Sequence, residues 1–471
     1  MEHVGIFASI YGSRGVAELL KMFSSHNYSP TFYIVAKQNN PMLRRLVKVT
    51  GGVLRVDRSL KLSTHIDLLE KYHGEIDLAI CPHEKIVIAG LRDAIEERGW
   101  NIPCTFPRKI FAIERSKILQ RRLFPEDYNP RWKAFHPSKY SSRGELLEDV
   151  KRWVEMLGGA GNVVFKPDSP AAGKGVAVGG EHFHTLNELI EGYISSFNQP
   201  FIIEERVEAE ESSCQIWFDG SIGHLNFLRY PEIRDYKRAF EGDLGPNTGG
   251  MGCYMDSKPI LPFMFEEDWS SGYELASKLI RNMQSWAEEN DLNPEGMYPC
   301  MYYLAMAHPH RVFEGNIGRP GDPEDIPPLL TMKNDLIDFY FGLVEGNPPN
   351  LNFEEKASVL IYVVPPTYGG RMSGKFNIKL NFEGLWILDQ NNPVYLPGDI
   401  ELSDGAVYVK TSRSVAVVGL GESIEDARRL ALRGVELVED SAEPKGYLWH
   451  RGDIASKEHI EKSVDHRRRL A

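Results

Sequence analysis

From Val4 to about Ile110 the chain alternates short β-branched runs with helical patterns, and this alternation restricts the fold more than any other feature. The segments in order are VGIFASI, VAELLKMFSS, TFYIVAK, PMLRRLVKVT, GVLRV, THIDLLEKYH, DLAICP and KIVIAGLRDAIEERG. Strand and helix in succession predict a parallel sheet with helices on both faces, because parallel neighbours need a crossover between them. Ligands of such sheets sit at the carboxyl ends of the strands. The first turn, Tyr11-Gly12-Ser13-Arg14-Gly15, lies at that edge and joins glycines to a helix N-terminus, which suits an anion. Gly12, Ser13 and Gly15 are its candidate contacts. The turn is not G-x-G-x-x-G, and the second strand ends in Lys37 where a dinucleotide fold carries an acid for the adenosine ribose. A small phosphorylated molecule therefore fits better than NAD.

At 471 residues the chain exceeds one ordinary core, and a typical domain of about 150 residues suggests about three. The expected division is an N-terminal α/β domain over 1–110, an α+β region over 111–352 and a small C-terminal domain over 353–471. The middle region opens with a helix at about Ser116 to Phe124 and has glycine-rich turns between strands. A proline-rich break, Gly346-Asn347-Pro348-Pro349-Asn350, ends it. Beyond it ASVLIYVVPP, GLWILD, AVYVK and SVAVVGLG read as strands, followed by a helix from Ile424 to Val438 and a charged tail that reads as a solvated helix.

Composition excludes several classes. Apolar residues at 42% and charged ones at 25% describe a globular chain, and a net charge of −12 repels nucleic-acid backbones. No apolar run approaches the ~20 residues of a membrane span, and the N-terminus lacks a basic leader, so a cytoplasmic protein is expected. The five cysteines, Cys81, Cys104, Cys214, Cys253 and Cys300, form no C-x-x-C pair and read as buried thiols.

Four segments carry chemistry. VVFKPDSPAAGKGVAV, from Val163 to Val178, reads strand, glycine-rich loop, strand. No Ser or Thr follows its lysine and no helix follows the loop, so it is not a P-loop. It suits a hairpin that folds over a triphosphate, with Gly173, Lys174 and Gly175 at the phosphates and Lys166 facing the same charge, and equally a plain hairpin with solvated lysines. FIIEERVEAEESS, from Phe201 to Ser213, runs an apolar strand into acids; apolar backbone can hold an adenine and an acid can take ribose hydroxyls, although an ordinary strand and charged turn has the same pattern. In RVFEGNIGRPGDPE, from Arg311 to Glu324, Glu314 and Asn316 stand two apart on a strand, so their oxygens share a face and suit Mg²⁺ or Mn²⁺. Arg319 suits a carboxylate or acyl phosphate, and Asp322 and Glu324 suit an amine or hydroxyls; a salt-bridged turn is the plainer alternative. Finally, DYKRAFEGDLGPNTGGMGCY, from Asp235 to Tyr254, is a long glycine-rich loop of the kind that is usually functional, with Lys237 and Arg238 as its cations. His182/His184 and His308/His310 lack further ligands nearby and read as structural.

Together these segments resemble the glycinamide ribonucleotide synthetase (phosphoribosylamine–glycine ligase) family of the ATP-grasp superfamily over nearly the whole chain. The resemblance is strongest in Glu241 to Gly252, close to the family's DGD-x-GPNTGGMG, and in AAGKGV, FEGN and GDPE. It implies an ATP-grasp domain at 111–352 with a mobile lid at about 130–205. It also implies that Lys117 and Lys166 contact ATP beneath the 173–175 phosphate lid, that adenine lies against Glu204, Glu205 and Val207, and that Glu211 takes the ribose. Glu314 and Asn316 would bind magnesium, Arg319 the acyl phosphate, and Lys237, Asp322 and Glu324 would complete the catalytic set. Asn247, Thr248, Gly249, Gly250, Met251 and Pro323 would contact substrate. The implied reaction joins glycine to phosphoribosylamine through glycyl phosphate in purine biosynthesis; a paralogue joining another amino acid to another amine is the alternative, in a monomer or small homo-oligomer.

Departures from the family cluster on the substrate side. The family's GSGGREHAL stands here as GSRGVAEL, its RFGDPE as RPGDPE with an extra Gly318, and its HAGT as Leu396-Pro397-Gly398-Asp399. These changes predict altered acceptor contacts around an unchanged nucleotide site.

Overall fold

The computed structural model describes residues 1–81, 83–169, 175–221, 228–318, 321–388 and 391–471. Strands Glu2–Ile10, Tyr28–Ala36, Val53–Val56 and Leu78–Ile80 form a parallel sheet in the order third, second, first, fourth. Alternation decides its two cores: Ile6, Ala8 and Ile10 enter one apolar cluster while Phe7 enters another, so both faces are covered, as the unbroken apolar runs require. Helix Pro41–Thr50 shows the local logic. Asn40 accepts the Met42 amide at 2.9 Å, Pro41 begins the helix, and Gly51 at φ 74° ends it. The run KIVIAGLRDAIEERG, expected as one helix, is two, Glu84–Ile88 and Leu91–Glu97, because Gly90 takes φ 91° between them.

Two further sheets build the middle region. Strands Trp132–Phe135, Phe201–Glu205, Val163–Pro167 and Ala177–Val178 form an antiparallel sheet that shares a separate apolar cluster with helix Arg143–Met156. Strands Arg311–Gly318, Cys300–His308 and Glu210–Phe218 form the other, with helix Glu266–Glu289 on one face.

A five-stranded sheet crosses the expected boundary at residue 352. It orders Arg234–Asp235, Gly252–Met255, Ala357–Val363, Val415–Gly421 and Val394–Pro397, so strands of the glycine-rich loop pair with C-terminal ones. Helix Ile424–Asp440 lies close against it; a Cβ on Gly419 would meet the Ala427 carbonyl at 2.0 Å.

Three local expectations change. GLWILD holds a 3-10 turn at Glu383–Trp386, with Leu385 fully buried; a short apolar run does not distinguish a strand from a buried turn. The loop of residues 235–254 is an ordered ribbon, with strands Arg238–Phe240 and Leu244–Asn247. The tail helix Lys457–Leu470 is docked and not solvated, because its buried side is polar: His459 meets Asp243 at 2.9 Å, His466 meets Glu210 at 2.7 Å and Arg467 meets Asp268 at 2.9 Å. Among the described residues no helix is long and apolar enough to cross a membrane, and all five cysteines are buried with free thiols.

Candidate active site

The sheet register places the polar residues. Directly opposed residues share a face, so Glu211 with Ala307, Ser213 with Ala305 and Glu314, and Gln215 with Tyr303 and Asn316 all present one side of the three-stranded sheet. Cys214, Ile216, Tyr302, Leu304 and Ile317 present the other side to helix Glu266–Glu289. One face is therefore core and the other is a polar floor.

Cations from three elements converge on that floor. Lys117, the first residue of helix Lys117–Leu123, reaches Glu314 at 3.3 Å. Ser116 caps this helix, and Asp168 holds it by accepting the Ser116 hydroxyl at 2.7 Å and the Ile118 amide at 3.0 Å. One turn along the same face, Arg121 grips Glu204 through Nε at 2.8 Å and Nη2 at 3.2 Å, and also donates to the Val312 and Phe313 carbonyls. Lys166 pairs with Glu204 Oε1, the oxygen that Arg121 Nη2 also takes. Glu204 is thus a buried anchor whose ionised form Arg121 and Lys166 keep below the usual range against the opposing pull of burial.

Glu314 is the electrostatic centre. Its carboxyl is held down at about 2, by Lys117 foremost and then by Lys237 and Lys166. The Lys237 ammonium is held charged by Tyr303 foremost and then by Glu314, Glu211 and Asp235. Lys117 and Lys237 act on this partly exposed carboxylate while Lys166 is shared with Glu204, a clustering of cations of the kind that suits a triphosphate.

The same residues fit a divalent cation. Glu314 is ionised, and the Asn316 side chain has no partner among the described residues, so two hard oxygens stand on one strand face. No group of three or more acidic, His or Cys donors exists among the described residues, so the remaining ligands would be phosphate oxygens and water.

Along the segment from Glu204 to Glu211 the acids have different duties. Glu205 turns to Arg131 at 2.6 Å, and Glu210 is taken by Arg234 at 3.0 Å and His466. Val207 is half-buried between them. Glu211 alone of these keeps a carboxylate without a partner among the described residues, and it faces the polar floor.

On the acceptor side Tyr303 donates to Glu324 at 3.1 Å, and Gln215 donates to the Glu324 carbonyl at 3.0 Å. Burial raises the Glu324 carboxyl, and it raises Asp235 further with Glu324 adding to the effect. Asp322 is internal: its carboxylate accepts the Ser13 amide at 3.0 Å and the Tyr362 hydroxyl. Arg413 donates to the carbonyls of Asp322 and Gly249, fastening the glycine-rich loop to this junction. Thr248 donates to the Lys237 carbonyl through amide and hydroxyl, Gly249 donates to the Tyr368 hydroxyl at 3.0 Å, and Gly250 abuts Pro323. Asn247 is exposed, whereas Met251 is fully buried in the main core and faces away from solvent. Gly173, Lys174 and Arg319 lie outside the described residues; Gly175 lies within them, at φ 88°.

The chain is similar to known proteins over nearly its whole length. Residues 135–324 match the family described as phosphoribosylglycinamide synthetase, ATP-grasp (A) domain. The phosphoribosylamine–glycine ligase of Methanocella arvoryzae is 30% identical over 459 residues, covering 95% of each chain. That of Methanothermobacter thermautotrophicus is 31% identical, covering 93% of each. The chain belongs to the phosphoribosylamine–glycine ligase family. The crystal structure of the phosphoribosylamine–glycine ligase from Thermotoga maritima shares the fold at a TM-score of 0.69 and 20% identity, over 96% of this chain and 100% of that one. The N5-carboxyaminoimidazole synthetase of Staphylococcus aureus follows at 0.56 and 10% identity, over 93% and 98%.

Within the phosphoribosylamine–glycine ligase family this chain's departures prove to be internally matched. Arg14, in the altered first turn, is buried and pairs with Asp325 at 2.5 Å and Glu18 at 3.5 Å. Asp399, which ends the altered HAGT segment, accepts the Thr411 and Ser412 amides at 3.0 and 2.7 Å and the Gln38 side chain. Asp399 thereby holds the turn before Arg413. Sequence reasoning missed Arg121, Asp235, Tyr303, Tyr362 and Arg413 as parts of the site. Arg121 had a signal, its i, i+4 spacing from Lys117; Arg413 had none, since only folding brings it to Gly249 and Asp322.

Proposed function

We propose that this chain joins glycine to phosphoribosylamine at the expense of ATP, forming glycinamide ribonucleotide through glycyl phosphate. The observation that carries this reading is the convergence of Lys117, Lys166 and Lys237 on Glu314, with Asn316 beside it. Family membership supplies the substrate class.

In this mechanism Lys117, Lys166 and Lys237 neutralise the triphosphate, and Glu314 and Asn316 would hold Mg²⁺. The ion, when bound, offsets charge on the transferring phosphoryl group. The glycine carboxylate attacks the γ-phosphorus and releases ADP; the amine of the acceptor then displaces phosphate from glycyl phosphate, forming the amide. Glu211 takes the ribose hydroxyls of ATP. Asp322 is already engaged by Ser13 and Tyr362, so the amine contact falls to Glu324, with Asp235 beside it. The resemblance assigns the acyl phosphate to Arg319 and the phosphate lid to Gly173, Lys174 and Gly175.

The test is ADP release from full-length protein with ATP, Mg²⁺, glycine and phosphoribosylamine, each omitted in turn, with mass-spectrometric identification of the product. Dependence on all four supports the reading. Turnover that ignores glycine or phosphoribosylamine, but needs a different amino acid or amine, replaces it.

A further inference from the structure

The first turn of the N-terminal sheet, expected to cradle a phosphate, is already filled. The Asp322 carboxylate takes the Ser13 amide at 3.0 Å and lies 3.5 Å from the Arg14 amide, while the Ser13 hydroxyl donates to the Leu396 carbonyl at 3.1 Å. A Cβ on Gly12 would meet Asp322 Oδ2 at 2.3 Å. An anion already occupies this helix N-terminus, and a second anion there would be repelled.

Beside it, at the same carboxyl edge of the sheet, stands positive charge without a counter-charge. Lys37 directly follows strand Tyr28–Ala36, and its Nζ lies 4.2 Å from the centre of the Tyr11 ring, which directly follows strand Glu2–Ile10. Lys37 has no carboxylate partner among the described residues. On the other side of Tyr11 the His83 ring meets it edge-on at 5.2 Å. His83 Nδ1 accepts the Lys85 amide at 3.1 Å, so a neutral ring carries its proton on Nε2, which has no partner among the described residues. Burial foremost, and then the charges of Lys37 and Lys85, lower His83 to about 4, so the ring is neutral and its Nε2–H is a donor. The Lys85 ammonium is itself used, donating to the Ser59 carbonyl at 2.7 Å. An unbalanced ammonium stacked on an aromatic ring, next to a free imidazole N–H, matches the needs of a phosphate monoester.

We infer that the phosphate group of the acceptor is held by the Lys37 ammonium, framed by Tyr11 and the His83 Nε2–H, and not by the amides of the Gly12 to Gly15 turn. This rests on the proposed acceptor being a phosphorylated sugar amine. Gln38, next to Lys37, donates to Asp399, which also holds the turn before Arg413.

Calorimetric titration of ribose 5-phosphate, ribose and inorganic phosphate into the full chain and into Lys37→Gln and Lys37→Arg tests the subsite. Lys37→Gln is expected to weaken ribose 5-phosphate by about tenfold or more, the scale of one charge-assisted contact, and Lys37→Arg to retain binding. In turnover assays the KM for phosphoribosylamine rises in Lys37→Gln, while those for ATP and glycine stay within about twofold. Ribose binding as tightly as ribose 5-phosphate, or Lys37→Gln matching the wild type for both ligand and acceptor, overturns the inference. Lys37-dependent binding of ribose 5-phosphate without ligase turnover would keep this subsite and sink the ligase reading. Normal turnover with an unchanged acceptor KM in Lys37→Gln would do the reverse.

Discussion

The Ser13 amide donates to the Asp322 carboxylate at 3.0 Å, which ties the first turn of the N-terminal sheet to the loop after the Glu314–Asn316 strand. The Tyr362 hydroxyl donates to the same carboxylate, so three remote stretches of chain meet on one side chain. Asp322→Ala leaves the Ser13 amide and the Tyr362 hydroxyl without their acceptor. A loss of about 2–4 kcal/mol in unfolding free energy is expected from urea melts. A loss below about 0.5 kcal/mol would show that the junction is not held there.

Glu314→Ala removes the carboxylate on which Lys117, Lys166 and Lys237 act and one of two proposed metal oxygens. ADP release under saturating substrates should fall by about a thousandfold, with a smaller change in unfolding free energy. Near-normal turnover would place the metal elsewhere.

Arg121 and Glu204 are each only 2% exposed. Arg121→Met leaves a buried carboxylate with Lys166 alone, and should destabilise by about 3 kcal/mol; adding Glu204→Met removes that carboxylate but leaves Lys166 without it, so only part of the loss should be restored. A double-mutant cycle in urea measures the coupling. Additive losses would mean that the pair does not act as one unit.

Glu114 contributes to the pH dependence. Burial pushes its carboxyl up to about 8, although it accepts the Ile317 amide at 3.2 Å. The native state therefore keeps a proton that the unfolded chain gives up near its ordinary value of about 4.3. The unfolded state binds fewer protons in that window, so this contribution weakens as pH rises from about 4.3 to 8, by at most about 1.4 kcal/mol per pH unit. Glu114→Gln should remove that slope, read as the difference between wild-type and variant unfolding free energies at pH 5 to 8. Parallel curves would assign the slope to other groups.

Removal of residues 457–471 takes away His459 from Asp243, His466 from Glu210 and Arg467 from Asp268. The ribbon of residues 238–247 then loses one of its clamps, while Arg451 still meets Asp243 at 2.8 Å. Limited proteolysis should cut near residues 241–248 several-fold faster in the truncated chain. Equal cleavage rates would show that the helix does not restrain the ribbon.

Much of the site was legible because its motifs are local. Glu314 and Asn316 share a face through strand periodicity alone, and Lys117, Lys166 and Glu211 sit in short segments whose residue types suit a nucleotide. The parallel sheet followed from alternating strand and helix patterns for the same reason. The tail helix was misread because periodicity detects apolar faces, whereas His459 and Arg467 dock through polar contacts with Asp243 and Asp268.

The amino-acid order by itself determined which stretches become strands and helices and which polar residues share a strand face, since those depend on neighbours a few positions apart. Only the tertiary structure decided that Asp322 occupies the Ser13 turn, that Arg413 reaches Gly249, and that Lys37 faces Tyr11 without a carboxylate among the described residues. These pairings join residues far apart in the chain. Their partners are selected by sheet order and burial, which no local pattern encodes.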